Sequence, residues 1–445
     1  MKFVIDRETY NDLEIFSSPE SSLFSILNHT KTSGGERLLK STMQEVLNDL
    51  VEIEKRRDLL QFFCGGNIEL EVERYQMENI DFYLSQFSRS CLKDNAIDAF
   101  YDHWSYKFTP SQDYYQVTTG VKDIIRLLRS LNDFGAKVRN EINGDLIMKD
   151  GHELERLLAD KIVARNLYSG KDIGFRDLSY LDKLFRAREK LPLKQIVQWV
   201  YRIDMATALS KLVKEKGWCL ADYLRDSESV FSGEGMFHPC INRAVSNDFT
   251  VGSQLNVTFL TGPNMAGKSS FLKTIGISVY LAHLGFPVPA TRFSTPVFNG
   301  LVTTINLPDN IHEGLSHFYS EAQRIRNTAM KLSDPGRLFV IFDELFRGTN
   351  LKDAFEATIQ LITSLAKIKH STFLVSSHLV DIIPDLAGVE GVVLKCFDCS
   401  FTDGRPVFSY KIKDGASNER LGMYILRNEG IFEILEGVVG EKMMN

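Results

Sequence analysis

Ten consecutive residues constrain this chain more than any others: Thr261, Gly262, Pro263, Asn264, Met265, Ala266, Gly267, Lys268, Ser269 and Ser270. The apolar run Val257 to Leu260 before them reads as a buried strand, and Phe271 to Ile275 after them reads as a helix. A strand that turns through glycines into a helix can cradle an anion. Gly262 and Gly267 let backbone N–H groups converge on one point, and the helix start adds the positive end of its dipole. Lys268 can then reach the outer phosphates of a nucleotide, and the Ser269 hydroxyl is placed to coordinate Mg²⁺.

Such a loop needs a sheet behind it, and the sequence supplies one. From about Phe237 onward, short apolar runs (Val257 to Leu260, Leu338 to Phe342, Thr372 to Val375) alternate with helical patterns. That alternation predicts an α/β domain, with ligands beyond the carboxyl ends of strands. Residues from about 20 to 230 read mostly as helices. Ile124, Ile125, Leu128, Leu131, Phe134 and Val138 stripe one face of a predicted helix from Val121 to Ile142. Ile196, Val197, Val200, Ile203, Leu209 and Leu212 do the same between Lys194 and Gly217. The punctuation Ser232-Gly233-Glu234-Gly235 predicts a domain boundary, giving a helical domain over 1–235 and an α/β domain over 236–445.

Two further strand ends carry chemistry. Asp343 and Glu344 follow the run Leu338 to Phe342, where Asp343 can hold Mg²⁺ and Glu344 can orient an attacking water. His378 closes the run that starts at Thr372, in reach of a terminal phosphate or that water. Between the glycine loop and the first of these, Glu313 to Glu321 reads as a helix cap whose Gly314 and Ser316 offer donors to an anion.

The rest of the chain narrows the field. The net charge of −6 gives no global basic footprint, so nucleic-acid contacts must come from local patches. Six scattered cysteines suit a reducing compartment, and Cys396-Phe397-Asp398-Cys399 is a lone CxxC without a second ligand pair. No apolar run reaches membrane-spanning length, so a cytoplasmic protein without membrane contact is expected. The aromatic group Tyr101, Trp104, Tyr106, Phe108, Tyr114 and Tyr115 reads as packing between helices, with base stacking as its other reading.

Taken together, these motifs resemble the ATPase domain of the MutS family of DNA mismatch repair proteins, a branch of the ABC-type ATPases. The loop departs by Ala266 where that family usually has glycine. Asp343-Glu344-Leu345-Phe346-Arg347-Gly348-Thr349 is similar to its acidic motif, with Phe346 in place of a usual glycine. Gly314, Ser316, Phe318 and Glu321 match the segment that the family presents to ATP on the opposite subunit. Ser377-His378 stands where a Thr-His pair is common. Asn11 to Ile15, Ser22-Leu23, Leu27 to Thr32, and Gly35 with Arg37 to Leu39 look like the opening of the family's helical core. Tyr410, ahead of Asp414-Gly415-Ala416, corresponds to a ring that stacks on adenine, or is a plain strand tyrosine.

The resemblance implies an α/β P-loop (ABC-type) ATPase domain preceded by an all-α helical core and lever domain. It implies ATP and Mg²⁺ as ligands, a homodimer with shared sites, DNA as a partner and downstream repair proteins. The family's mismatch-reading and connector domains are not expected here, nor is direct mismatch reading. Two rival readings remain: an ATP-switched dimeric scaffold for a protein partner and not DNA, and a small-molecule kinase.

Overall fold

The computed structural model describes residues 2–18, 21–66, 68–85, 104, 112–141, 144–148, 152–169, 171–225, 231–252, 254–305, 317–333, 336–346, 348–402, 405–416, 430–432 and 434. The chain forms two compact units. One comprises 1–26, 46–54 and 217–445, the other 27–45 and 55–216.

The first unit carries the strands β1 (Asp222–Leu224), β2 (Phe231–Met236), β3 (Asn247–Val251), β4 (Val257–Thr261), β5 (Arg292–Pro296), β6 (Gly300–Thr304), β7 (Leu338–Asp343), β8 (Thr372–Ser376), β9 (Val392–Thr402) and β10 (Arg405–Asp414). They make a six-stranded sheet in the order β10-β9-β4-β8-β7-β6 and a four-stranded sheet in the order β1-β5-β2-β3. In the larger sheet β4 runs parallel to both its neighbours, β8 and β9, and only the β9–β10 hairpin is antiparallel. All five residues of β4 are buried, as expected for a parallel strand covered on both faces. The helices Lys268–His283 and Leu351–Ala366 follow β4 and β7 respectively. Val257, Phe259, Val340, Phe342, Phe373 and Val375 join Ile362 and Leu365 in one apolar core.

The N-terminal residues belong to this sheet unit and not to a helical domain. Val4 bridges Gly300 in parallel at the β6 edge, with Val4 N donating to Asn299 O at 2.8 Å and Val4 O accepting from Leu301 N at 2.9 Å. Asp6 caps the helix Arg7–Asp12, accepting from Thr9 N at 2.9 Å. The same carboxylate takes both Arg324 Nη atoms, at 2.7 and 2.9 Å, and Lys331 Nζ at 2.5 Å. Asp12 accepts from Thr303 Oγ1 and Ile305 N. The break expected at residue 235 is therefore displaced: the units part at Lys216 and Gly217. Ser232 to Gly235 lies inside β2, paired to β3 and β5, because a glycine-bearing strand has the composition of a turn.

The described secondary structure of the second unit is helical. Its longest elements run Gln112–Val138 and Lys190–Lys216, the first beginning nine residues earlier than the apolar stripe indicated and ending four residues sooner. Every residue of both predicted stripes is buried. Asp204 ties the Lys190–Lys216 helix to the start of the helix Ser33–Gln44, accepting from Thr32 N at 2.9 Å and Thr32 Oγ1 at 2.6 Å. Of the aromatic group, Tyr114 is buried while Trp104 and Tyr115 are exposed; Tyr101, Tyr106 and Phe108 lie outside the described residues.

Candidate functional site

The glycine loop leaves the carboxyl end of β4 and enters the helix at Lys268. Gly262 has φ +145°, and a Cβ there would stand 2.6 Å from the carbonyl oxygen of Phe397, so β9 passes too close for any side chain. Gly267 caps the helix at φ +100°. Met265 is also left-handed, at φ +68°, and its side chain is largely exposed together with that of Asn264. Ala266 has no positive φ and is fully buried, so alanine fits there without backbone strain. Phe346, the other departure from the family pattern, does sit in the left-handed region, at φ +64°.

Three elements send side chains to the head of this loop. Lys268, only 4% exposed, donates from Nζ to Gly262 O at 2.8 Å and Pro263 O at 3.1 Å. Its ammonium lies 3.8 Å from Glu344 Oε1 and 3.4 Å from His378 Nδ1. His378 Nε2 contacts the same Glu344 oxygen. An ammonium can only donate, so Nδ1 is the imidazole's acceptor and Nε2 carries the proton given to Glu344. The predicted trio Lys268, Glu344 and His378 is thus one connected group.

Glu344 takes φ +55° immediately after β7. Its N–H donates to Ser376 O at 3.1 Å and Ser376 Oγ at 3.3 Å. Ser376 Oγ in turn donates to Asp343 Oδ1. Asp343 and Glu344, adjacent in sequence, are therefore both fastened to the end of β8.

A cavity of about 520 Å³ opens beside the loop. Pro263, Asn264, Met265, Gly267, Lys268, Ser269, Ser270 and Glu344 line one part of it, and Tyr410 another. Tyr410 sits in a bulge of β10 at φ +53°, 44% exposed, with its ring 3.2 Å from where a Gly267 Cβ would be. It is thus no buried strand tyrosine: its ring stands at the loop.

Sequence reasoning missed the opposite wall. His238, Ile241, Asn242, Arg243, Ala244 and Val245, between β2 and β3, and Asn247 at the start of β3 also line the cavity. Asn247 holds the Tyr410 bulge, donating from Nδ2 to Tyr410 O at 2.9 Å and accepting from Ile412 N at 2.9 Å. Burial, aided by the Lys273 ammonium, lowers the pKa of His238 to about 4, so this wall carries a neutral imidazole. No periodicity or motif marks the segment; only the closing of the chain on itself brings it to the loop.

Two expected groups are not assembled here. Gly314 and Ser316 lie outside the described residues. Cys396 and Cys399 both lie on β9, three residues apart, so they face opposite sides of the sheet and cannot share a ligand. Both are buried, and the described residues contain no cluster of metal-ligating side chains. Among the described residues no helix is long and apolar enough to cross a membrane.

The chain is similar to known proteins over part of its length. Residues 258–437 match the family model of MutS domain V. The chain is 30% identical over 293 residues to the DNA mismatch repair protein MutS of Persephonella marina, 63% of this chain and 33% of that protein. It is 28% identical over 249 residues to the DNA mismatch repair protein MSH3 of Yarrowia lipolytica, 54% of this chain and 24% of that protein. With MutS of Lactococcus lactis it shares 25% identity over 252 residues, 55% and 29% of the two chains. The chain therefore spans about a third or less of the length of the relatives it matches. Residues 258–437, which hold the loop after β4 and the acidic pair after β7, are thus similar to MutS domain V, and the chain is similar over part of its length to DNA mismatch repair proteins of the MutS type.

Proposed function

We propose that this chain is a Mg²⁺-dependent ATPase of ABC type whose nucleotide state governs the pairing of two copies. The observation that carries the reading is the convergence of Lys268, Glu344 and His378, from three separate elements, at the head of the glycine loop. The residues present suit Mg·ATP. The Ser269 hydroxyl and the Asp343 carboxylate are the hard oxygen donors that Mg²⁺ takes. The ion, when bound, neutralises charge on the phosphates. Residues Gly262 to Ser270 would hold the phosphates, with Lys268 exchanging its carbonyl partners for phosphate oxygen. Glu344 would orient water, with His378 holding its proton toward that carboxylate. The Tyr410 ring would stack on the base.

In this reading Gly314 and Ser316 of one copy close the site of the other, and closure moves the helical unit against DNA in a repair-related role. The relatives' names support the DNA part and give no support to the scaffold without DNA. The test is phosphate release from ATP with and without Mg²⁺, for the wild type and Lys268→Ala, across a panel of DNA structures and salt concentrations. Turnover should need the metal and Lys268, and DNA affinity should fall steeply with salt. Equal turnover in Lys268→Ala removes the site, and indifference to every DNA at low salt removes the DNA role.

A further inference from the structure

We propose that Ser376 is a positioning residue for the metal ligand and the water-orienting carboxylate, a reading that rests on the Mg·ATP site proposed above. Asp343 and Ser376 are the last paired residues of the parallel β7–β8 ladder. Ser376 is fully buried, so its hydroxyl has no water to bond and must find protein partners. It finds two: it donates to Asp343 Oδ1 and accepts from Glu344 N at 3.3 Å. The first bond fixes the rotation of the carboxylate and leaves Oδ2 as the oxygen without a hydrogen bond among the described residues. The second, with the 3.1 Å bond from Glu344 N to Ser376 O, holds Glu344 in a left-handed conformation that non-glycine residues rarely adopt.

One hydroxyl therefore sets the aim of two adjacent acids whose tasks differ. Alanine would keep the strand and the backbone bond but free the Asp343 carboxylate to turn. A group of this kind, bonded to a metal ligand without touching the metal, commonly accounts for 10–100-fold in metal affinity, so roughly tenfold or more is expected here.

The experiment uses the full chain as wild type, Ser376→Ala and Ser376→Thr. Three quantities are read: the Mg²⁺ concentration for half-maximal phosphate release at saturating ATP, Mn²⁺ binding by electron paramagnetic resonance with a non-hydrolysable ATP analogue, and ATP affinity in EDTA. Ser376→Ala should raise the Mg²⁺ requirement and weaken Mn²⁺ binding about tenfold or more. Metal-free ATP affinity should stay unchanged, and Ser376→Thr, which keeps the hydroxyl, should restore metal binding. An unchanged metal requirement in Ser376→Ala overturns the proposal. So does an equal loss of metal-free ATP affinity, which would mark a purely structural hydroxyl. A wild type with no metal-dependent turnover overturns the function beneath it, whereas normal wild-type turnover with an indifferent Ser376→Ala overturns this role alone.

Discussion

Replacing Asp6 with asparagine tests how the first residues are held to the sheet. The carboxylate is 19% exposed and receives two charge-assisted bonds from Arg324, itself 9% exposed, and one from Lys331. Asparagine keeps the shape and one acceptor oxygen but leaves the buried guanidinium with the more exposed Glu8 carboxylate, 3.4 Å away, in place of its nearest counter-charge. Breaking a fully buried pair costs about 3–5 kcal/mol, and partial water access puts this one near the lower end, about 3 kcal/mol. At roughly 2–4 °C per kcal/mol for units of this size, Tm should fall about 6–12 °C at pH 7.

The pH dependence has a definite sign. Burial alone would raise the Asp6 pKa, but the hydrogen bonds from Arg324 and Lys331 outweigh it and hold the carboxyl well below the usual carboxylate range. A depressed pKa contributes stability that is present in full above the unfolded value, about 3.9, and is lost as pH falls toward the folded one. The deficit of Asp6→Asn should therefore be constant from pH 5 to 8 and shrink below about pH 4. Thermal melts of both proteins at a series of pH values measure it. A shift under 2 °C at pH 7, or a deficit that stays whole at pH 3, would refute the reasoning.

Other perturbations address the site. Glu344→Gln should retain ATP and hydrolyse it at least about 100-fold more slowly, as loss of an acid–base group does; wild-type turnover in single-cycle assays removes Glu344 from that role. Gly267→Val places a β-branched residue at φ +100° with its Cβ 3.2 Å from the Tyr410 ring. It should cost about 1–3 kcal/mol of stability and abolish binding of a fluorescent ATP, and unimpaired binding would show that the loop relaxes freely. Asn247→Ala releases both sides of the β10 bulge, so KM for ATP should rise several-fold with kcat nearly unchanged. A kcat effect alone would place Asn247 with the phosphate chemistry instead.

The parts that were legible in the sequence share a physical cause. β4, β7 and β8 are buried on both faces, so Val257 to Leu260, Leu338 to Phe342 and Thr372 to Val375 are continuous apolar runs that announce themselves. The loop is legible because its backbone demands glycine at 262 and 267. β2 was hidden by Gly233 and Gly235, and the hairpin β9–β10 by its charged, half-exposed residues. The Asp6–Arg324 pair joins residues 318 positions apart, and no local pattern encodes that. Ser376 only follows the apolar run Thr372 to Val375 in the sequence; the register opposite Asp343 gives its hydroxyl a task. The wall from His238 to Asn247 was silent for the same reason.

The ammonium of Lys268 already has its charge answered, by two carbonyl oxygens and a nearby carboxylate. An incoming anion must therefore displace good ligands, and what it recovers is the difference between two coordination sets. Chloride or sulfate, with few contacts to offer, gains little from that trade. The triphosphate of the proposed function, engaging loop amides, hydroxyls and a metal together, would gain much more. On the proposed function, selectivity against small anions would thus begin in the resting posture of a single side chain, before any base is recognised.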